Sequence, residues 1–363
     1  MIKLLVVDDS PLMRRLLGDL FAAEGDFQVA FARNGAEALA ALHADPPDVI
    51  TLDVQMPEMD GLACLDRIML ERPTPVVMAS SLTLQGAAEA LSALELGAVD
   101  VIAKPSGAVS LRMDEFGPPL VEKVRAAAGA RLSTARRLGE RMRARAARTG
   151  LAQTRTAPAP TPRLRGLRAG AGEAGLVIIG CSTGGPPALD AVLSALPAHL
   201  PWPVVIAQHM PGSFTGPLAR RLDQLSALSV VEVTEPTVLQ AGWAYLARGD
   251  ADLILSLRRD GLTALNAPAD PDHRWHPSVE RLMESALSVL PARRIVGVLM
   301  TGMGNDGAPA MTRLRAQGGQ TIAQSEATSV VWGMPGELVR AGGAGRVEDL
   351  DRIGEAVMQA VAA

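Results

Sequence analysis

Cysteine is almost missing from this sequence: Cys64 and Cys181 are the only two in 363 residues. Two thiols cannot build a disulfide framework, and their scarcity fits a reducing cytosol. Aromatic residues amount to 3%, with one Tyr and five Phe, so any core has to be aliphatic. A dominant charge is missing as well. The 35 basic residues face 39 acidic ones for a net charge of −4, which offers no global attraction to nucleic acid. No apolar run approaches the ~18 residues that a membrane helix needs. The stretch from Met1 to Pro11 is broken by Asp8, Asp9 and Ser10, too short and too acidic for a signal peptide. Membrane insertion, secretion and a small stapled scaffold are thereby excluded, and a cytoplasmic protein is expected. What is plentiful is glycine (35) and proline (26) in a chain that is 48% hydrophobic, the mark of a globular protein with many tight turns.

The length predicts about two domains. From residue 1 to about 125, the apolar runs IKLLVV, FQVAFA, PDVITL, PVVMAS and VDVIA alternate with segments of helical periodicity. Continuous apolar strands separated by helices imply a parallel sheet covered on both faces, here a doubly wound (βα)5 domain. Composition then shifts. Eleven of the 35 basic residues, all Arg, lie between Ala126 and Gly172 with a single acidic residue, Glu140, so the rest of the chain is markedly acidic. The stretch to about Arg148 has the pattern of a helical extension, and TAPAPTPR is a Pro/Ala tether. Residues 126–172 read as an interdomain linker, a solvated tether before an attraction site for an acidic partner. From 173 to 363 the runs LVIIG, PVVIAQ, LILSL and RIVGVLM alternate with helical segments again, giving a second, larger α/β domain of mainly parallel sheet. Within it, WAYLARGDADLILSLRRDGLTAL reads as a strand pair joined by a Gly-containing turn, so part of that sheet is expected to be antiparallel.

In a doubly wound sheet the carboxyl ends of the strands converge on one edge, where ligands bind. Asp8 and Asp9 end the first strand, Asp53 the third, Ser80 the fourth and Lys104 the fifth. Three carboxylates together call for a hard cation, and Mg²⁺ with its waters is the natural occupant. Beside it Asp53 can act as a carboxylate nucleophile toward a phosphoryl group, with Ser80 and Lys104 holding the phosphoryl oxygens. Taken singly, an acidic residue at a strand end is better read as a helix cap; five polar residues at strand ends in this order are not. VVDDS, LDVQMPEMDG and the Lys104-Pro105 pair resemble the response-regulator receiver family. The resemblance implies that Asp53 takes phosphate from a histidine kinase, with Asp8, Asp9, Asp53 and the Gln55 carbonyl around Mg²⁺. Val101 stands where many receivers carry an aromatic switch residue, which touches how the signal crosses the domain.

In the second domain, LVIIGCSTGG is a strand running into a glycine-flanked turn that exposes Ser182 before a helix start at Pro186 and Pro187. Such a turn serves phosphate binding as well as nucleophilic catalysis. His209 follows PVVIAQ and Asp306 follows RIVGVLMTGMGN, so both lie beyond strand ends on the same edge. Together they supply a nucleophile, a general base and an orienting carboxylate. TGMGNDG offers backbone N–H groups, that of Met303 foremost, to a developing oxyanion. His199, His273 and His276 are less well placed, His43 reads as a surface helix residue, and Cys181 reads as packing.

IGCSTGG, AQHMPGSFT, HPSVERLMES, VLMTGMGNDGAPAM and IAQSEATSVVWGMP, in this order from about Leu176 to Ala341, resemble the catalytic domain of the CheB family of chemotaxis protein-glutamate methylesterases. The resemblance implies a serine hydrolase acting on glutamyl methyl esters of a chemoreceptor's cytoplasmic domain. It implies methanol release and glutamine deamidation as a second activity, with Ser182, His209 and Asp306 as triad and Met303 and Thr183 as oxyanion or site-wall residues. It also implies no cofactor for hydrolysis, a chemotaxis-type histidine kinase as phosphodonor, no nucleic-acid partner, and an unphosphorylated receiver that covers the catalytic cleft. Arg248 and Asp252 depart from the family's usual Pro-Gly…His stretch, and Glu280 replaces a usual Asp. The alternatives are a catalytically silent docking module and a transcription regulator, the latter lacking a DNA-binding motif.

Overall fold

In the computed structural model, residues 1–81, 83–104, 113–132 and 175–362 are described. The chain forms two compact units, dividing between Gln153 and Thr154. The expected linker lies outside the described residues from position 133 onward, as does Pro105.

The first unit is a five-stranded sheet ordered β2-β1-β3-β4-β5. Its elements run β1 (Ile2–Val7), α1 (Pro11–Glu24), β2 (Phe27–Ala32), α2 (Gly35–Ala44), β3 (Val49–Asp53), α3 (Gly61–Glu71), β4 (Val76–Ser80), α4 (Leu84–Leu96), β5 (Asp100–Ala103) and α5 (Met113–Ala128). All four pairings are parallel. Every residue of β3 and β4 is buried, as a central strand covered on both faces requires. Edge strand β2 leaves Phe31 about half exposed. Local chemistry sets the helix starts: Ser10, Asn34, Asp60 and Thr83 each accept a hydrogen bond from the N–H three residues on. Gly25 and Gly97 end α1 and α4 in the left-handed conformation. The sequence expectation of a (βα)5 domain holds.

The second unit is built on a seven-stranded sheet. Its elements are β6 (Leu176–Cys181), α6 (Gly185–Ala195), β7 (Val204–Gln208), α7 (Gly212–Leu225), β8 (Ser229–Val233), β9 (Thr237–Val238) and β10 (Trp243–Ala247), then β11 (Asp252–Arg258), β12 (Gly261–Ala267) and α8 (Val279–Val289). After a short 3₁₀ turn at Ala292–Arg294 come β13 (Ile295–Leu299), α9 (Ala308–Ala316), β14 (Gln320–Gln324), α10 (Met334–Arg340), β15 (Arg346–Glu348) and α11 (Leu350–Ala362). The main sheet has the order β15-β14-β13-β6-β7-β10-β8 and is parallel throughout. The chain leaves β6 toward β7, then returns to β6's other side with β13. The order therefore reverses between β6 and β13, the switch point where an α/β sheet opens its ligand crevice.

One sequence expectation is corrected here. WAYLA, as β10, belongs to the parallel sheet, and the antiparallel pair is DLILSLR with GLTALNA. With β9 these form a separate three-stranded sheet, β11-β12-β9. The reason lies in burial and turn geometry. β10 is buried over Ala244–Ala247, as a covered strand must be. In the hairpin Arg258 pairs with Gly261 across Arg259-Asp260, and Gly261 takes φ +127°, open to glycine at no steric cost. The core of this unit is aliphatic, with Tyr245 and Phe214 its largest fully buried aromatic side chains. Helix α8 enters it through Leu282, Met283 and Ala286.

Candidate active site

At the carboxyl edge of the first sheet, Asp8 and Asp53 are buried and Asp9 is exposed. Each offers a carboxylate oxygen, and the three oxygens lie within 4.8 Å of one another. Lys104 Nζ reaches both Asp8 Oδ2 and Asp53 Oδ2 at 2.7 Å. Burial pushes the Asp53 carboxyl above its ordinary pKa, only partly opposed by Lys104. Burial alone would lower the Lys104 ammonium, but its two carboxylate neighbours hold it above the usual lysine value. The Gln55 N–H donates to Asp53 Oδ1 at 3.3 Å. The Ser80 hydroxyl, also buried, donates to the Gly86 carbonyl at 2.8 Å. The glycine that closes LDVQMPEMDG has a steric reason: a Cβ on Gly61 would stand 2.1 Å from the Asp53 carbonyl, so only glycine lets α3 begin so close to β3. Three hard oxygen donors around one point are a donor set for a small divalent cation such as Mg²⁺.

In the second unit Ser182 follows β6 directly. Its N–H donates to the Thr301 carbonyl at 2.9 Å, and its carbonyl accepts from Gly185 at 2.7 Å, closing a turn. Gly184 sits at φ +77° and fits only without a side chain, since a Cβ would press on Val330 at 2.7 Å. Helix α6 then starts with prolines in its first turn, so the positive end of its dipole lies by the Ser182 turn. Cys181 is fully buried, its thiol donating to Gln208 Oε1 at 3.1 Å. Burial pushes that thiol far above its ordinary pKa, which leaves it no thiolate for nucleophilic work.

His209 follows β7 and donates from Nε2 to Asp306 Oδ2 at 2.8 Å. Asp306 also accepts from Ser278 Oγ (3.0 Å), the Val279 N–H (2.6 Å) and the Glu280 N–H (3.0 Å). The carboxylate is thus seated on the N-terminus of α8, where dipole and free amides favour negative charge. Burial acts to raise the Asp306 pKa, but the His209 hydrogen bond and the two amides hold it below the usual carboxylate value. Two glycines make this seat. A Cβ on Gly180 would meet Val279 at 2.6 Å, and one on Gly307 would meet it at 2.5 Å. The other ring nitrogen of His209, Nδ1, is buried without a hydrogen-bond partner. Among the described residues the Ser182 hydroxyl makes no hydrogen bond to it, so the structure joins His209 to Asp306 and leaves Ser182 unengaged beside them. Apo sites often show such loose contacts.

The Gly302–Gly304 loop completes the site. A Cβ on Gly302 would lie 2.8 Å from Ser182 Cβ, which places Met303 one residue from the Ser182 side chain. Gly302 is clamped through its carbonyl by the Gly333 and Met334 N–H groups, while among the described residues the Met303 N–H has no acceptor. Thr183 is buried, and its carbonyl accepts from Thr301 Oγ1 at 2.9 Å. Two buried glutamines went unread in the sequence. Gln208 Nε2 donates to both the Ser182 carbonyl (3.0 Å) and the His209 carbonyl (3.1 Å). Gln324 Oε1 accepts from the Thr301 N–H at 2.8 Å. Each closes a strand end, and that position was the available signal. Trp275 was missed too: its ring lies parallel to His209 at 6.0 Å between centroids. His43 pairs with Glu71 on the first unit, His199 is exposed, and His276 pairs with Asp252.

Comparison with known proteins gives the same division of the chain. The family described as response regulator receiver domain matches residues 4–113, and that described as CheB methylesterase matches residues 177–357. The chain is 54% identical to "Protein-glutamate methylesterase/protein-glutamine glutaminase 2" of Rhodopseudomonas palustris (strain BisB18), over 99% of this chain and 98% of that one. It is 52% identical to "Protein-glutamate methylesterase/protein-glutamine glutaminase 3" of Rhodospirillum rubrum, over 97% and 94% respectively. Among solved structures, the CheB methylesterase catalytic domain of Thermotoga maritima aligns with a TM-score of 0.50 and 34% identity, covering 51% of this chain and 98% of that one.

Proposed function

Since the chain belongs to the CheB family of protein-glutamate methylesterases/protein-glutamine glutaminases, we propose that Ser182, His209 and Asp306 are its catalytic triad. The protein is a chemotaxis adaptation enzyme, a serine hydrolase whose activity is controlled through a receiver domain. Its substrates are glutamyl methyl esters, and glutamines, on chemoreceptor cytoplasmic domains. Residues 1–125 form the receiver, 126–172 the linker and 173–363 the hydrolase.

The observation that carries the reading is the buried His209–Asp306 pair, held by the amides of α8 next to the Ser182 turn. Asp306 fixes the proton of His209 on Nε2, which leaves Nδ1 as the base. Ser182 Oγ attacks the ester carbonyl carbon while its proton passes to Nδ1, and the carbonyl π electrons move onto oxygen. That oxyanion takes the Met303 N–H, with Thr183 lining the wall. Collapse breaks the bond to methoxide, which leaves as methanol with the proton from His209. Water then repeats the sequence on the glutamyl-Ser182 ester, giving a free glutamate and a regenerated hydroxyl. With a glutamine side chain the leaving group is ammonia. Every role is filled by side chains and amides of this chain, so no cofactor is assigned to hydrolysis.

In the receiver, Asp53 is the phosphoacceptor and a chemotaxis-type histidine kinase the donor. Asp8, Asp9, Asp53 and the Gln55 carbonyl would hold Mg²⁺, which when bound offsets the charge on the phosphoryl oxygens. Lys104 holds one phosphoryl oxygen, and Ser80 another once its hydroxyl turns from Gly86. The test is methanol release from methylated receptor membranes. Wild type should release methanol and Ser182→Ala should fall by about 10³-fold or more; equal release by the two would end the triad assignment.

A further inference from the structure

We propose that Asp252, a residue outside the triad, positions the His209–Asp306 pair by pinning the chain segment that runs from β12 into α8; the proposal rests on the triad reading above. Asp252 opens β11 and is 1% exposed. Its carboxylate accepts four hydrogen bonds. Oδ1 takes the His276 Nδ1–H at 2.9 Å and the Ser278 N–H at 2.8 Å. Oδ2 takes Arg281 Nη1 at 2.8 Å and the Asp270 N–H at 3.0 Å. The donors are spread from one end of the connection to the first turn of α8, so a single carboxylate ties down its whole length.

That connection touches three parts of the site. Trp275 lies flat against His209, with an interplanar angle of 3°, and Arg274 covers the tryptophan at 5.5 Å. Ser278 Oγ and the next two N–H groups hold Asp306. Gly304, beside Met303, has no Cβ, which would otherwise stand 2.5 Å from the Trp275 ring. Displacing the segment therefore displaces the imidazole's packing face, the carboxylate's donors and a neighbour of the oxyanion loop together. An error of about 1 Å in such a constellation costs up to roughly 10²-fold in rate. Burial opposes the charge on Asp252, but His276, the Ser278 amide and Arg281 hold its pKa below the usual carboxylate value. It is ionised at neutral pH and suits four donors at once. In Asp252→Asn one side of the amide is NH₂ and faces two of those donors, whichever way it is turned.

The experiment compares full-length wild type with Asp252→Asn and the milder His276→Gln, on methylated receptor membranes, with Ser182→Ala as control. The expected result is a fall in kcat of about 10-fold for Asp252→Asn and about 3-fold for His276→Gln, with KM within twofold. ¹⁵N-histidine NMR reads the His209 Nε2–H directly, identified by its loss in His209→Gln, and its resonance should move in both variants. A role limited to stability would lower the melting temperature and leave the kcat of the folded fraction and the resonance unmoved. That pattern overturns the proposal, as does a change in KM alone. Should Asp252→Asn not fold, His276→Gln decides by the same criteria. Turnover in Ser182→Ala equal to wild type would count against the triad, leaving Asp252 to be judged by the NMR readout.

Discussion

Asp306, the carboxylate of the proposed triad, also bears on the stability of the fold. Its folded pKa is held below the ordinary carboxylate value by His209 and the α8 amides, against the cost of burial. A carboxyl of depressed pKa stabilises the fold above its unfolded pKa, near 3.9. That contribution is lost as pH falls through the lower folded value. Asp252 has the same sign. Chemical denaturation between pH 7 and pH 3 should therefore show wild type well above Asp306→Asn near neutrality, with the gap closing in acid. A constant gap would mean that the Asp306 charge does not contribute. Asp306 was legible from its place after a strand in the TGMGNDG run. Gln208 and Gln324 were not, because a polar residue closing an apolar run carries no sign of which distant loop it will hold. Gln324 meets Thr301 only because β13 and β14 pair in parallel.

Among the elements, α8 bears most directly on the site. Its N-terminus reaches Asp306 because Gly180 and Gly307 leave room for Val279. Gly307 also sits at φ +82°, so Gly307→Ala meets both a clash and an unfavourable backbone. Its expected cost is about 1–3 kcal/mol. Adding Val279→Ala should return the clash component but leave the backbone strain, and a double-mutant denaturation cycle reads the difference. Strictly additive losses would show that the two residues do not press on one another. The parallel strands were readable because burial on both faces makes them continuous apolar runs. The stretch read as one strand pair holds three strands, and its antiparallel pair lies outside the main sheet, because β10 and β11 follow one another closely in the chain yet belong to different sheets. Strand β8, only partly buried, and the three-residue β15 carry too little apolar signal to announce themselves.

For the whole molecule, the receiver's acidic pocket and the triad proposed for the hydrolase are separate pieces of chemistry on two compact units. Asp53→Asn should remove the response of methanol release to a small phosphodonor with Mg²⁺ while leaving unstimulated release in place. Because burial raises the Asp53 pKa, removing that charge should also leave the receiver at least as stable, as a melting curve would show. Continued stimulation of the variant would move the phosphoacceptor elsewhere. The two-unit organisation was legible from the Arg-rich interval, since a stretch with eleven Arg and no aromatic cannot form a core of its own.

The seating of Asp306 on α8 also bears on how such a chain can decay. Ser182 and His209 can drift without unseating a helix, whereas losing Asp306 leaves two amides, a hydroxyl and an imidazole without their acceptor. Descendants that abandon hydrolysis and survive as binding proteins should therefore keep the aspartate long after the serine or the histidine has gone. An intact aspartate in such a relative would testify to its ancestry, not to its activity.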